Sequence, residues 1–62
     1  MIPLNSSSIR AVDYRGGTLF VQFHTSDTVY SHPHVPYSLF EGLVNAISPG
    51  GFYNQFIRGK YR

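Results

Sequence analysis

The chain has neither cysteine nor tryptophan among its 62 residues. Without thiols, no disulfide and no thiolate-held metal can brace the fold, a composition that agrees with a reducing cytoplasm. Acidic side chains are scarce too, with only Asp13, Asp27 and Glu41 present. A hydrolase combining a nucleophile, a base and an orienting acid has little to draw on here. No G-x-S-x-G or H-E-x-x-H motif links the serines and histidines. Catalysis is therefore not expected, and no cofactor is implied. No run nears the roughly 18 apolar residues of a membrane span. The opening Met1-Ile2-Pro3-Leu4 lacks the basic start and long apolar stretch of a signal peptide. The expectation is one domain over residues 1–62, cytoplasmic and without a membrane partner.

What the chain does have is aromatic surface, five Phe and five Tyr. Each such side chain removes roughly 150 to 250 Å² from water when buried, which is how so short a domain can hold a core. Association of copies commonly reinforces scaffolds of this size, so a homo-oligomer is expected. The formal charge is +2. Arg58, Lys60 and Arg62 crowd the last five positions, and only Arg10 and Arg15 precede them. A basic end of this kind attracts phosphate; it also reads as cations placed after a helix, where the dipole favours them.

Residues 9 to 14 alternate partly and run into Arg15-Gly16-Gly17, a strand and a turn. In residues 18 to 24, Leu19, Val21 and Phe23 share one side and Phe20, Gln22 and His24 the other. A third strand follows at Thr28-Val29-Tyr30-Ser31-His32. A turn at Ser26-Asp27 would pair Phe23 with Tyr30 and Val21 with His32. Pro33 and Pro36 end the sheet. From Pro36, taken as the first helical position, Leu39, Phe40, Leu43, Val44 and Ile47 follow a helical stripe. That helix stops near Ser48-Pro49-Gly50-Gly51. A shorter one pairs Phe52 with Phe56 and Tyr53 with Ile57, ending at Gly59. The predicted class is α+β, a three-stranded antiparallel sheet followed by two helices packed on one face, in the order β-β-β-α-α.

His24, His32 and His34 raise the question of a metal. His32 and His34 share a side of an extended segment, but no Cys and few carboxylates lie near and His24 points to the other face, so no metal ligand is assigned. The plainer reading puts His32 in a partly buried sheet position and His34 in the loop. Gly50 and Gly51 ahead of a helix suit either an anion site at its positive end or merely a tight turn. Asn54 and Arg58 lie one turn apart on one helical face, within side reach of such an anion. The interleaving of Phe52, Tyr53, Phe56, Arg58, Lys60, Tyr61 and Arg62 suits base stacking with cations on phosphate. Most of the Phe residues belong to the core, leaving Tyr53, Tyr61 and the cations available.

Several segments together resemble the KTSC domain. They are Ser6-Ser7-Ser8-Ile9, Tyr14 before a turn, Leu19-x-Val21-x-Phe23, Tyr30, Val35-Pro36, Ala46-x-Ser48-x-Gly50, Phe52-Tyr53-Asn54, Ile57-Arg58 and Tyr61. The chain departs from that family at Thr25-Ser26-Asp27, where relatives generally carry a Gly, and at His32, a position usually aromatic. Domains of this family follow some lysyl-tRNA synthetases and stand alone in bacteria and phages, and no reaction is associated with them. The resemblance implies RNA or nucleotide contact, or, in a phage, a small protein acting in the host cytoplasm that sequesters a host immune nucleotide signal or blocks a host protein. Ser7, Ser8, Asn54, Arg58, Lys60 and Tyr61 carry the hydroxyls, amide and cations that hold phosphates and base edges. Ser8 also suits a plain strand start, and Asn54 a turn brace. The expected function is a non-enzymatic module binding nucleic acid or a small nucleotide between copies. The alternative is an inhibitor or accessory domain whose exposed aromatic patch meets a host protein.

Overall fold

A computed structural model describes residues 1–61. Gly16 and Gly17 take φ values of 55° and 86°, the left-handed pair a two-residue type I′ hairpin requires. They join β2 (Ile9–Arg15) to β3 (Thr18–Phe23), with Arg15 paired to Thr18 across the turn. β4 (Val29–His32) adds to the far side of β3. The sheet has four strands, not three, because β1 (Ile2–Pro3) pairs antiparallel with β2 in the order β1-β2-β3-β4. Two residues are too few to show an alternation. Pro3 also lacks a donor, which restricts it to an edge strand such as this one.

The third strand sits two residues away from its expected register, with Val21 opposite Tyr30 and Leu19 opposite His32. The loop is longer than a tight turn because Ser26 is folded into it. Its N–H donates to Phe23 O at 3.3 Å, and its hydroxyl accepts from Thr28 N at 3.0 Å. A shift of two preserves which face each side chain occupies, so the core-facing set survives the error.

α1 (Tyr37–Asn45) and α2 (Pro49–Phe56) cover one sheet face. Between the layers lie Ile9, Val12, Leu19, Val21, Val35, Phe40, Leu43, Tyr53 and Ile57. Pro36 is the residue before α1 and not its first member, with ψ 145°. α1 also ends before Ile47, expected in its buried stripe and instead 106% exposed. The chain becomes extended at Ala46 because Ser48, the residue before Pro49, is held in extended backbone and caps α2. The helices approach closely at Gly42, where an added Cβ would stand 2.8 Å from Phe52 Cζ. Phe52 in turn packs on Phe56, ring centroids 4.7 Å apart.

Val35 anchors the passage from sheet to helices. Its side chain is 2% exposed. Its N–H donates to Gly17 O at 2.9 Å, and its carbonyl accepts from Tyr14 Oη at 2.6 Å. The Tyr14 ring stacks on Phe40, 5.1 Å between centroids, and meets the edge of Tyr37 at 5.5 Å. Tyr14→Phe keeps this packing but leaves the Val35 carbonyl without its donor. A loss of about 1 to 3 kcal/mol is expected, read as a lower urea midpoint at unchanged slope. An unchanged midpoint would show that the bond contributes nothing net.

Candidate functional site

α2 ends at Phe56, short of the expected Gly59. Tyr53 and the capping Ile57 turn inward, while Asn54 on the helix and Arg58 in the turn after it, its N–H donating to Tyr53 O at 2.9 Å, reach the border with the sheet. There they meet the aromatic residues of β3 and β4. Phe23, Tyr30, Tyr53, Asn54 and Arg58 line an open cleft of about 300 Å³. Phe23 stands edge-on to both neighbours, 5.8 Å from the Tyr30 ring and 5.2 Å from the Tyr53 ring. Tyr30 is 46% exposed and Tyr53 only 8%. The cleft thus has one accessible aromatic wall, a largely buried phenol, a carboxamide and a guanidinium.

Behind the phenol, His32 bridges two parts of the chain. Its Nδ1 lies 3.0 Å from the Tyr61 carbonyl and its Nε2 2.9 Å from Tyr53 Oη. A carbonyl only accepts, so Nδ1 carries the hydrogen. The neutral ring then has a bare Nε2, which accepts from the Tyr53 hydroxyl; this tautomer is assigned from the network. Burial pushes the Tyr53 hydroxyl above its ordinary pKa of 10.0, with Arg58 pulling the other way and Tyr30 adding to the rise. The phenol therefore stays protonated and neutral near pH 7.

The residues picked out from sequence are only partly gathered here. Asn54 and Arg58 line the cleft; Ser7, Ser8, Lys60 and Tyr61 do not. Ser7 is exposed, and Ser8 Oγ is 2.9 Å from where a Cβ on Gly50 would stand. Ser8 thus packs closely against Gly50. Lys60 sits exposed in the turn after α2, its N–H donating to Ile57 O at 3.0 Å. Tyr61 packs on the core and supplies the carbonyl to His32. Arg62 lies outside the described residues. At the glycine junction, the Gly51 N–H donates to Ser48 Oγ at 3.3 Å, so that donor is spent on a side-chain cap. His24 Nε2 lies 2.8 Å from Ser6 O, and His34 is exposed in its loop at φ 60°. Among the described residues, no three His, Cys, Asp or Glu side chains group as metal ligands, and no helix is long and apolar enough to cross a membrane. Phe23 and Tyr30 were not singled out for the site. The alternation of β3 and the pairing with β4 put them on one face, but their meeting with α2 is tertiary.

Fold and cleft define a small α+β domain with a four-stranded meander, two covering helices and an aromatic cleft at their border. Residues 5–61 match the KTSC domain, and the chain belongs to that family. A KTSC domain protein from Yersinia pestis, known from its crystal structure, is similar to it at 29% identity and a TM-score of 0.88. That likeness covers 97% of this chain and 86% of the other. No curated protein matches the chain in sequence.

Because the folded-state pKa of Tyr53 is raised, the unfolded chain loses this proton first as pH climbs. The associated stability is full below about pH 10 and declines as pH rises towards the folded value. Tyr53→Phe should remove that alkaline slope. Urea unfolding of both proteins between about pH 9 and 11 checks it, and parallel slopes would contradict the burial argument.

Proposed function

We propose that the domain is a non-enzymatic binding module for an anionic ligand, a nucleic acid segment or a small nucleotide, held in the cleft of Phe23, Tyr30, Tyr53, Asn54 and Arg58. The observation that carries this reading is the convergence of a guanidinium and a carboxamide on an aromatic-walled cleft. Arg58 supplies donors suited to phosphate oxygens, Tyr30 offers a face for a planar ring, and Asn54 can pair with a base edge or a phosphate. The volume of about 300 Å³ is at the small end for ligand sites, which suits one nucleotide unit. The absence of catalysis rests on the cleft's own chemistry: the phenol is held protonated, and amide and guanidinium are poor general bases at neutral pH. In a phage, the same chemistry would serve to sequester a host nucleotide signal.

Self-association belongs to this reading. β4 is an edge strand without proline or formal charge, and it exposes both Val29 and Tyr30. Such edges invite a further strand. A second copy there would stand beside Tyr30 and hence beside the cleft.

A protein partner is a second reading, favoured by the sheet face the helices leave open. Met1 and Val29 are exposed there and, with Phe20, Asp13 and Arg15, line a hollow of about 180 Å³.

Salt separates the two. Binding of a fluorescent single-stranded RNA should weaken steeply with added salt, and Arg58→Ala should reduce the log–log slope by about one phosphate contact, roughly 0.7 for a single strand. Native mass spectra of gently purified protein should show a retained nucleotide or oligonucleotide and the mass of an assembly. A ligand-free monomer indifferent to RNA would move the assignment to the open sheet face.

A further inference from the structure

The cleft's hydrogen-bonding groups differ in kind. We infer that Tyr53 offers the cleft an oxygen able only to accept, so that the ligand's planar ring meets it with an N–H donor while the ligand's anionic group meets Arg58. This rests on the anion-binding reading of the same cleft and deepens it, because it states which edge of the ring is recognised.

The polarity starts at a main-chain atom. The Tyr61 carbonyl fixes hydrogen on His32 Nδ1, leaving Nε2 bare, and the single Tyr53 hydroxyl hydrogen is drawn to it over 2.9 Å. A hydroxyl has one hydrogen and two lone pairs, so what remains on that oxygen accepts. Tyr53 lines the cleft with Arg58 and Tyr30, and its hydroxyl's bond to His32 is only partly buried. Burial keeps the phenol protonated at neutral pH, so the hydrogen stays committed to His32. Arg58 can only donate, and Asn54 can do either. A ring bearing an N–H therefore completes the site. A ring that places a carbonyl or a bare nitrogen there sets lone pair against lone pair and leaves a largely buried oxygen unpaired. His32 is a positioning residue, acting on the ligand only through the direction it imposes on the Tyr53 hydrogen.

The test uses two matched pairs of mononucleotides in calorimetric titrations. AMP is compared with purine riboside 5′-monophosphate, which lacks the ring amine, and UMP with its N3-methyl derivative, which lacks the ring N–H. In the wild-type protein, at least one parent should bind about three- to tenfold more tightly than its donor-free partner, the size of one neutral hydrogen bond. Tyr53→Phe should abolish that ratio, so that parent and donor-free ligand bind the variant equally. His32→Phe frees the hydroxyl hydrogen to turn outward and should narrow the ratio in folded protein, a readout that loss of packing alone would not move selectively. Equal affinities within both wild-type pairs, or a ratio that survives Tyr53→Phe, would overturn the inference and leave the anion site standing. If none of the four binds and Arg58→Ala also leaves RNA binding unchanged, the anion-binding reading itself fails, and this inference with it.

Discussion

An imidazole inserted between a phenol and a main-chain carbonyl holds the second helix against the end of the sheet. His32 comes from β4, Tyr53 from α2 and the carbonyl from Tyr61 beyond the helix, so two bonds of 2.9 and 3.0 Å join three parts of the chain. The rest of the cleft follows from that linkage. With Tyr53 fixed, Asn54 beside it and Arg58, whose N–H donates to Tyr53 O, reach the border with the sheet, and Phe23 fills the angle between Tyr53 and Tyr30. Polar groups so close to a core must be satisfied, and no buried side-chain N or O among the described residues lacks a partner.

A second linkage does the same for the first helix. Val35 is held by both main-chain groups and by its side chain, so the connection from β4 to α1 closes against the Gly16-Gly17 turn. The domain therefore uses tyrosine in a double capacity. Tyr14 and Tyr53 each give ring area to the interior and spend the hydroxyl on a specific partner. In a chain without cysteine, this combination supplies orientation as well as burial.

The legible part of the fold was the part written in short-range periodicity. The alternation of Leu19, Val21 and Phe23, the paired glycines after Arg15 and the stripe of Leu39, Phe40 and Leu43 led directly to strands, hairpin and helix. β1 is too brief to carry a period, and the β3–β4 register depended on how Ser26 folds into its loop. Ile47 fitted the helical spacing, yet the requirements of Ser48 and Pro49 ended α1 before it. For the site, helical spacing led to Asn54 and Arg58 together, and they do share the cleft, although Arg58 stands in the turn after α2. Ser7, Ser8 and Lys60 have suitable chemistry, but no local pattern shows which residues of other elements α2 will face. His32 occupies the partly buried sheet position expected of it, but the sequence did not show that its two nitrogens are engaged by groups 21 and 29 residues later in the chain. Such separations leave no trace in local spacing.

The consecutive strand order bears on how the domain assembles in time. Each strand of β1-β2-β3-β4 pairs with its neighbour in sequence, so the sheet grows by successive short loop closures and needs no crossover. The tightest is the two-residue turn between β2 and β3, making that hairpin the economical place to begin. The contacts of His32 with Tyr53 and Tyr61, 21 and 29 residues apart in sequence, close longer loops and come after the hairpin. On this ordering, the sheet exists before the cleft does, and the surface bearing the candidate site is the last to acquire its shape.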